Sequence, residues 1–420
     1  MSEDMSRKLA IDGGTPLVNR PLTERRPFGA RELELLKEVI DSQTLFGPKH
    51  AMTQRFVDAV RRLYGAKYAV TATSGTAALH LAVGSLGLNP GDEVITAPIT
   101  DMGTVVPILF QNAVPVFADT KRGDLYLDPE DVERKITKRT KAIIVVHLSG
   151  NPVPMEPFIE IARRHNLYLI EDCCQAHATE LNGRYAGTFG DIGCFSMQDS
   201  KHVTTGDGGF CITNNPELAD RMSLFADKGW LREKVSTARV YTTLALNYRM
   251  TALQAAVGLA QLEKVKDVVA ARNRLGTLLS DEIAGVEGVR PAPVTPGGKH
   301  SYWHYPLITV NWKAAEFATA LRAEGVPAAA GYIGKPIFLC SEVFYGGRTY
   351  GDTHFPFGSP YTDRKYEELY APGVCPNCEE ILDHLVILRF FENTPEDEIR
   401  LIAAAIRKVA AGLGAKKVPA

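Results

Sequence analysis

The chain has 420 residues, 45% hydrophobic and 23% charged, with a formal net charge of −2, a make-up that fits an ordinary globular protein with room for two domains. A balance so near neutral supplies no field for nucleic acid or an anionic membrane surface, and no apolar run approaches the roughly 20 residues of a membrane helix. Seven cysteines without a regular framework point to a reducing compartment, by default the cytoplasm. Residues 1–5 carry no signal-peptide core.

In chain order, residues 1–45 read as an arm, marked by Gly13-Gly14-Thr15-Pro16 and Arg25-Arg26-Pro27, followed by a helix from about Ala30. From 46 to 284 short apolar runs alternate with amphipathic helices. Strands are expected at 69–71, 93–96, 114–117, 142–146, 167–170, 193–196 and 210–213, and helices at 76–86, 155–164 and 216–227. This alternation predicts an α/β fold, a mostly parallel central sheet with helices on both faces. A long helix at about 251–283 closes this large domain. The Pro- and Gly-rich stretch 286–296 then leads into a smaller C-terminal α+β domain, 285–420, with a strand at 305–309 and helices at 314–324 and 395–413. Lys416-Lys417 reads as a solvated tail.

Ligands of such sheets lie at the carboxyl ends of the strands, where three polar features fall. Thr73-Ser74-Gly75-Thr76-Ala77-Ala78-Leu79 follows a strand and opens a helix. A helix N-terminus offers free N–H groups and a partial positive charge to a phosphate, and Gly75 lets the backbone approach it; a plain Ser/Thr N-cap has the same appearance. Glu171-Asp172 ends another strand, where a carboxylate such as Asp172 facing a pyridine nitrogen keeps it protonated, and Gln175 follows three residues on. Lys201 lies between Ser196, on a strand, and the turn Thr204-Thr205-Gly206-Asp207-Gly208-Gly209. That arrangement suits a Schiff-base lysine beside a phosphate. Asn247-Tyr248-Arg249-Met250-Thr251, before the long helix, adds polar groups able to reach an anion.

On these residues, and on the N-terminal Leu9-Ala10-Ile11-Asp12-Gly13-Gly14-Thr15-Pro16, the chain resembles the DegT/StrS sugar aminotransferases, fold-type I pyridoxal-phosphate enzymes, nearly end to end. The resemblance implies Lys201 as the Schiff-base lysine and Asp172 as the partner of the pyridine nitrogen. It places Gln175 on the ring hydroxyl, Gly75, Thr76 and Ser196 on the phosphate, and Asn247 in the site of a neighbouring subunit, hence a homodimer. It further implies an amino donor, glutamine or glutamate, and a keto-sugar or keto-cyclitol acceptor. Relatives with histidine at the lysine position dehydrate sugars; here the position is Lys201. Three departures stand out. Asp101 and Met102 occupy the place where relatives carry a ring-stacking aromatic residue, and Asp207 replaces a more usual glutamate. The segments 331–336 and 340–370, where relatives set specificity, match no pattern. The alternatives are a silent cofactor-binding regulator or another fold-type I enzyme, a lyase or a desulfurase using Cys340.

Weaker signals complete the reading. Cys375-Pro376-Asn377-Cys378 has half of a zinc site's ligands and no second pair. His147 and His177 read as buried structural histidines or as neighbours of the site. The cluster His300-Ser301-Tyr302-Trp303-His304-Tyr305 is either a sugar-facing wall or an ordinary strand of the small domain.

Overall fold

A computed structural model describes residues 8–232, 238–351, 353–358 and 360–415; residues 1–5 and the Lys416-Lys417 pair lie outside them. The larger sheet comprises β1 (Tyr68–Ala72), β2 (Glu93–Thr96), β3 (Val114–Phe117), β4 (Thr140–Val146), β5 (Tyr168–Asp172), β6 (Ile192–Ser196) and β7 (Gly209–Thr213). Their order is β1-β7-β6-β5-β4-β2-β3. All pairings are parallel except the two made by β7. Strands β2, β3, β6 and β7 are buried along their whole length, and β4 and β5 at all but one residue each, which is why they read as continuous apolar runs rather than alternating ones. All seven expected strands are present, two with the expected bounds and the others with bounds displaced by one or two residues.

The helix Ala252–Glu282 leads to a second sheet of β8 (Val289–Pro291), β9 (Tyr305–Thr309), β10 (Ala328–Ala330) and β11 (Leu385–Leu388), ordered β8-β9-β11-β10 and wholly antiparallel. Helices Ala314–Ala323 and Glu396–Ala415 pack with Leu275 and Leu279 of the long helix into its core. The N-terminal arm joins this unit: Glu324 accepts the Ala10 and Leu17 amides at 2.9 and 3.0 Å, and Glu398 accepts the Thr23 amide at 2.9 Å. Leu9 and Val18 are buried in the same core.

The described residues of 340–370 lie on the outer edge of the large sheet. Tyr370 donates to the Pro115 carbonyl at 2.7 Å, Arg364 pairs with Glu93 at 2.7 Å, and Phe344 and Tyr370 pack around Phe117. The segment thus ties β2 and β3 to the small sheet's unit.

Candidate functional site

The anion cradle forms where β1 turns into the helix Gly75–Ser85. Ser74 caps that helix, its hydroxyl accepting the Ala77 amide at 3.0 Å and its carbonyl the Ala78 amide at 2.9 Å. The Gly75 and Thr76 amides are thereby left without intrahelical partners. A Cβ on Gly75 would lie 2.5 Å from Cβ of Ser196 and 2.9 Å from its hydroxyl, so only glycine lets the helix end meet the end of β6. Gly209 makes the matching approach, where a Cβ would fall 2.3 Å from the Ser74 carbonyl oxygen. Thr76 faces the next helix, Met102–Phe110: a Cβ on Gly103 would lie 2.6 Å from its hydroxyl. Gly75, Thr76 and Ser196 therefore meet where the start of the Gly75–Ser85 helix packs on the end of β6.

The two acids ending β5 point to opposite faces, as strand alternation requires. Glu171 turns away from the site. Its carboxylate accepts the Gly187, Phe189 and Gly190 amides at 2.7, 2.6 and 2.6 Å and meets Nε2 of His147 at 3.0 Å. Nδ1 of His147 accepts the Val153 amide at 3.0 Å. Cys173 lies close enough to make a three-ligand group with these two, but Glu171 already holds the 187–190 turn and His147 the Val153 amide. Asp172, 4% exposed, takes the other face, accepting the Thr104 hydroxyl at 2.7 Å and the Cys174 amide at 3.0 Å. Thr100 extends the chain to Thr104 at 2.6 Å.

Lys201 follows a tight turn, its amide bonded to the Gln198 carbonyl at 2.9 Å. Its Nζ lies 3.7 Å from the centroid of the Trp303 ring, and the Trp303 indole in turn donates to the Ser200 carbonyl at 2.9 Å. Burial drives the amine's pKa down; the Arg389 charge adds to this, while Cys174, Asp172 and Asp101 oppose it. The turn is braced from outside. Arg25 donates to the Asp199 and His202 carbonyls at 3.1 and 3.0 Å and pairs with Glu392 at 3.0 Å.

Gln175 is fixed in orientation: its Oε1 accepts the Ser149 amide at 2.7 Å and its Nε2 donates to the Tyr332 hydroxyl at 2.9 Å. One Nε2 hydrogen remains. Tyr332 holds φ at 50°, in the left-handed region, and burial pushes its phenol pKa up. Its ring meets His304 edge-on at 6.1 Å, and His304 stacks on Trp303 at 3.7 Å.

Asn247 lies elsewhere. It is exposed, accepts the Arg249 amide at 3.3 Å and bridges to Asp227; among the described residues no contact joins it to Lys201, Asp172 or Gly75. Asp101 caps the 102–110 helix by accepting the Gly103 amide at 2.8 Å, with its charge still acting on Lys201, while Met102 packs against the core. His177 supports Ser196 from behind, its Nε2 2.7 Å from the Ser196 carbonyl oxygen. Cys375 and Cys378 are buried, and Asp119 holds their turn by accepting the Asn377 and Cys378 amides, both at 2.9 Å. Cys340 is exposed, its thiol directed at the Ile333 and Lys335 carbonyls of its own segment.

Sequence reasoning passed over Thr104, Tyr332 and Arg389 and left the 300–305 cluster undivided. The structure divides it: Trp303 and His304 face Lys201, whereas Tyr302 and Tyr305 belong to the small sheet's core. The aromatic density of that cluster was one signal, and Tyr332 lay in the 331–336 segment that matched no pattern.

A family model for the DegT/DnrJ/EryC1/StrS aminotransferases matches residues 28–356. A Micromonospora echinospora protein named as an L-glutamine:3-amino-2,3-dideoxy-scyllo-inosose aminotransferase is 40% identical over 295 residues, 70% of each chain. The GDP-perosamine synthase of Escherichia coli O157:H7 is 37% identical over 281 residues, 66% of this chain and 75% of that one. Among solved structures, an aminotransferase from Psychrobacter cryohalolentis superposes with a TM-score of 0.81 at 25% identity, covering 94% of this chain and 99% of its own. These matches name aminotransferases, not a silent regulator, a lyase or a desulfurase. The chain belongs to the DegT/DnrJ/EryC1/StrS aminotransferase family, whose members act on sugars and cyclitols, and it is a pyridoxal-phosphate-dependent transaminase.

Proposed function

We propose that the enzyme moves an amino group from glutamine or glutamate to the ketone carbon of a keto-cyclitol or keto-sugar, with the cofactor held by Gly75, Thr76, Asp172, Gln175, Ser196 and Lys201 of one copy and Asn247 of a second. When bound, pyridoxal phosphate supplies the carbonyl that takes up nitrogen and a ring that accepts the electron pair left by the departing α-proton. The cradle where a Cβ on Gly75 would collide with Ser196 is where its phosphate fits. Asp172, oriented by Thr104 and the Cys174 amide, holds the ring nitrogen's proton, and the free Nε2 hydrogen of Gln175 serves the ring hydroxyl.

Lys201 carries the reading. Its amine is buried, and that burial lowers its pKa, so at neutral pH it spends more time as the neutral base that lifts the donor's α-proton and returns it on the other side of the transfer. The Trp303 ring lies 3.7 Å from that amine.

Exposed Leu45, Phe46, Tyr241 and Leu246, with Leu244 at 96% exposure, make an apolar rim around the Asn247 loop. A second copy covering that rim brings Asn247 to its neighbour's cradle. All seven cysteines are free, in keeping with work in the cytoplasm. Glutamine and a keto-cyclitol come first because the relative at 40% identity bears such a name; the GDP-perosamine synthase keeps nucleotide-linked keto-sugars as the competing acceptors.

The test is visible absorbance of the cofactor-loaded protein. Glutamine or glutamate should bleach the band, and a keto-cyclitol or a nucleotide-linked keto-sugar should restore it. No bleaching by either amino acid would overturn the reading, and the acceptor that restores the band faster names the branch.

A further inference from the structure

The start of the helix Met102–Phe110 bridges the two groups proposed for the cofactor's ends. Gly103 packs on the cradle, where a Cβ would lie 2.6 Å from the Thr76 hydroxyl, and Thr104 donates to Asp172 at 2.7 Å. Asp101, one of the chain's departures from its relatives, heads this turn. It is exposed, and its Oδ1 accepts the Gly103 amide at 2.8 Å. Among the described residues its Oδ2 takes no hydrogen bond, and no lysine, arginine or histidine pairs with it. Asp172 differs, since Thr104 engages one of its oxygens and the Cys174 amide the other. Burial drives the Lys201 amine's pKa down and the Tyr332 phenol's up, and the Asp101 charge opposes the first and adds to the second. The carboxylate thus acts on both groups that border the reacting centre.

We propose that Asp101 receives an ammonium group carried by the acceptor, so that the acceptor is a keto-cyclitol already bearing one amino group. This rests on the transaminase reading above. A carboxylate without a protein partner keeps its charge because water reaches it. A ligand that displaces this water must offer a donor in return, and an ammonium is a stronger partner than a hydroxyl. A second feature selects the same charge. The Trp303 ring has Nζ of Lys201 3.7 Å from its centroid, and an indole face attracts an ammonium. When Lys201 is engaged with the cofactor, that face is left to a ligand. His304, stacked on Trp303 at 3.7 Å, is 3% exposed and its Nδ1 has no hydrogen-bond partner. Burial first, then the Arg389 and Lys201 charges, push its pKa down to about 2, so it stays neutral and does not repel a cation.

Cofactor-loaded wild type and Asp101→Asn are bleached with glutamine or glutamate and offered two acceptors. One is an inosose; the other is the same ring with one hydroxyl, at the second or third carbon from the ketone, replaced by an amino group. Asparagine keeps an oxygen for the Gly103 amide, so the helix cap stays and only the charge is lost. The ratio of kcat/KM for the two rings cancels any effect of the substitution on Lys201 itself. Wild type should favour the amino ring by about 10- to 100-fold, the difference one charge-assisted contact makes, and Asp101→Asn should lose most of that preference. Calorimetry on the bleached form with scyllo-inosamine and scyllo-inositol, which have no ketone to react, should show the same difference in affinity and the same loss. A wild-type preference for the amino ring below about 3-fold would overturn the assignment. A preference that survives in Asp101→Asn would also overturn it, as would bleached wild type that aminates neither ring. Wild type bleached by neither amino acid would instead refute the transaminase reading itself.

Discussion

Removing the Glu392 carboxylate tests how Lys201 is held. Glu392 takes two hydrogen bonds from Arg272, at 2.9 and 2.8 Å, and one from Arg25 at 3.0 Å. The Arg272 side chain is 1% exposed and that of Arg25 10%. Burial pushes the Glu392 carboxyl up, but the two guanidiniums outweigh it and hold the group below its usual range. Glu392→Ala leaves Arg272 as a buried charge with no counter-ion, which costs about 3–5 kcal/mol. Glu392→Gln keeps an acceptor and should cost less, ~1–2 kcal/mol. Because Arg25 also grips the carbonyls on either side of Lys201, the alanine variant should lose turnover as well as stability. Urea unfolding followed by tryptophan fluorescence gives the first quantity and the half-reaction with glutamine the second. A carboxyl with a depressed folded pKa stabilises above its unfolded pKa, and that contribution disappears as pH falls through the folded value. The gap between wild type and Glu392→Ala should therefore narrow only in acid, below the ordinary glutamate range. A stability loss under about 1 kcal/mol at neutral pH would refute the claim that this carboxylate neutralises a buried pair.

Gly75→Ala places a methyl 2.5 Å from Cβ of Ser196 and should weaken cofactor binding at least about 10-fold, read by equilibrium dialysis with a check on the fold; unchanged affinity would move the phosphate elsewhere. His80 and His177 are each held by burial at a pKa of about 4, so the unfolded chain binds protons that the folded one refuses. Stability should fall between pH ~6.5 and ~4 by about 1.4 kcal/mol per unit for each histidine, and His177→Asn should remove one share; a flat profile in urea midpoints would contradict the burial. Cys340 is exposed, Cys174 half-buried and the other five cysteines buried, so an aromatic disulfide reagent should titrate Cys340 rapidly in the native chain, Cys174 more slowly, and those five only on unfolding. More than two fast thiols would mean that buried cysteines such as Cys375 and Cys378 are not packed as described.

Much of the large sheet was legible because strands covered on both faces have no polar alternation to hide them, and because its ligand-facing residues follow strand ends in sequence. The helix Met102–Phe110 was not foreseen: Gly103 and Pro107 argue against helix. Asp101 overcomes the first by capping the Gly103 amide, and the apolar residues Val105, Ile108 and Leu109 secure the rest by burial. Thr104 was missed for the same reason, since its hydroxyl reaches Asp172 only once that helix exists. Tyr332 and Arg389 were invisible because they come to the site through pairing of β9, β10 and β11, contacts more than fifty residues apart that no local pattern encodes.

The two sheets divide the work in a way that sequence order conceals. The large sheet's strand ends carry the groups proposed for the cofactor, Gly75, Asp172, Gln175 and Ser196. The small sheet contributes Trp303, His304, Tyr332 and Arg389, none of which lies in the motifs that carry the family resemblance. Tyr332 links the two sets through Gln175, and the 340–370 segment fastens the small-sheet unit to β2 and β3 by the Arg364–Glu93 pair and the Tyr370 hydroxyl. A segment spent on that attachment has fewer side chains left to face a substrate. The small-sheet residues that meet Lys201 and Gln175 lie instead just before β9, at Trp303, and just after β10, at Tyr332, so a change at either leaves the Gly75–Ser196 contact of the large sheet untouched.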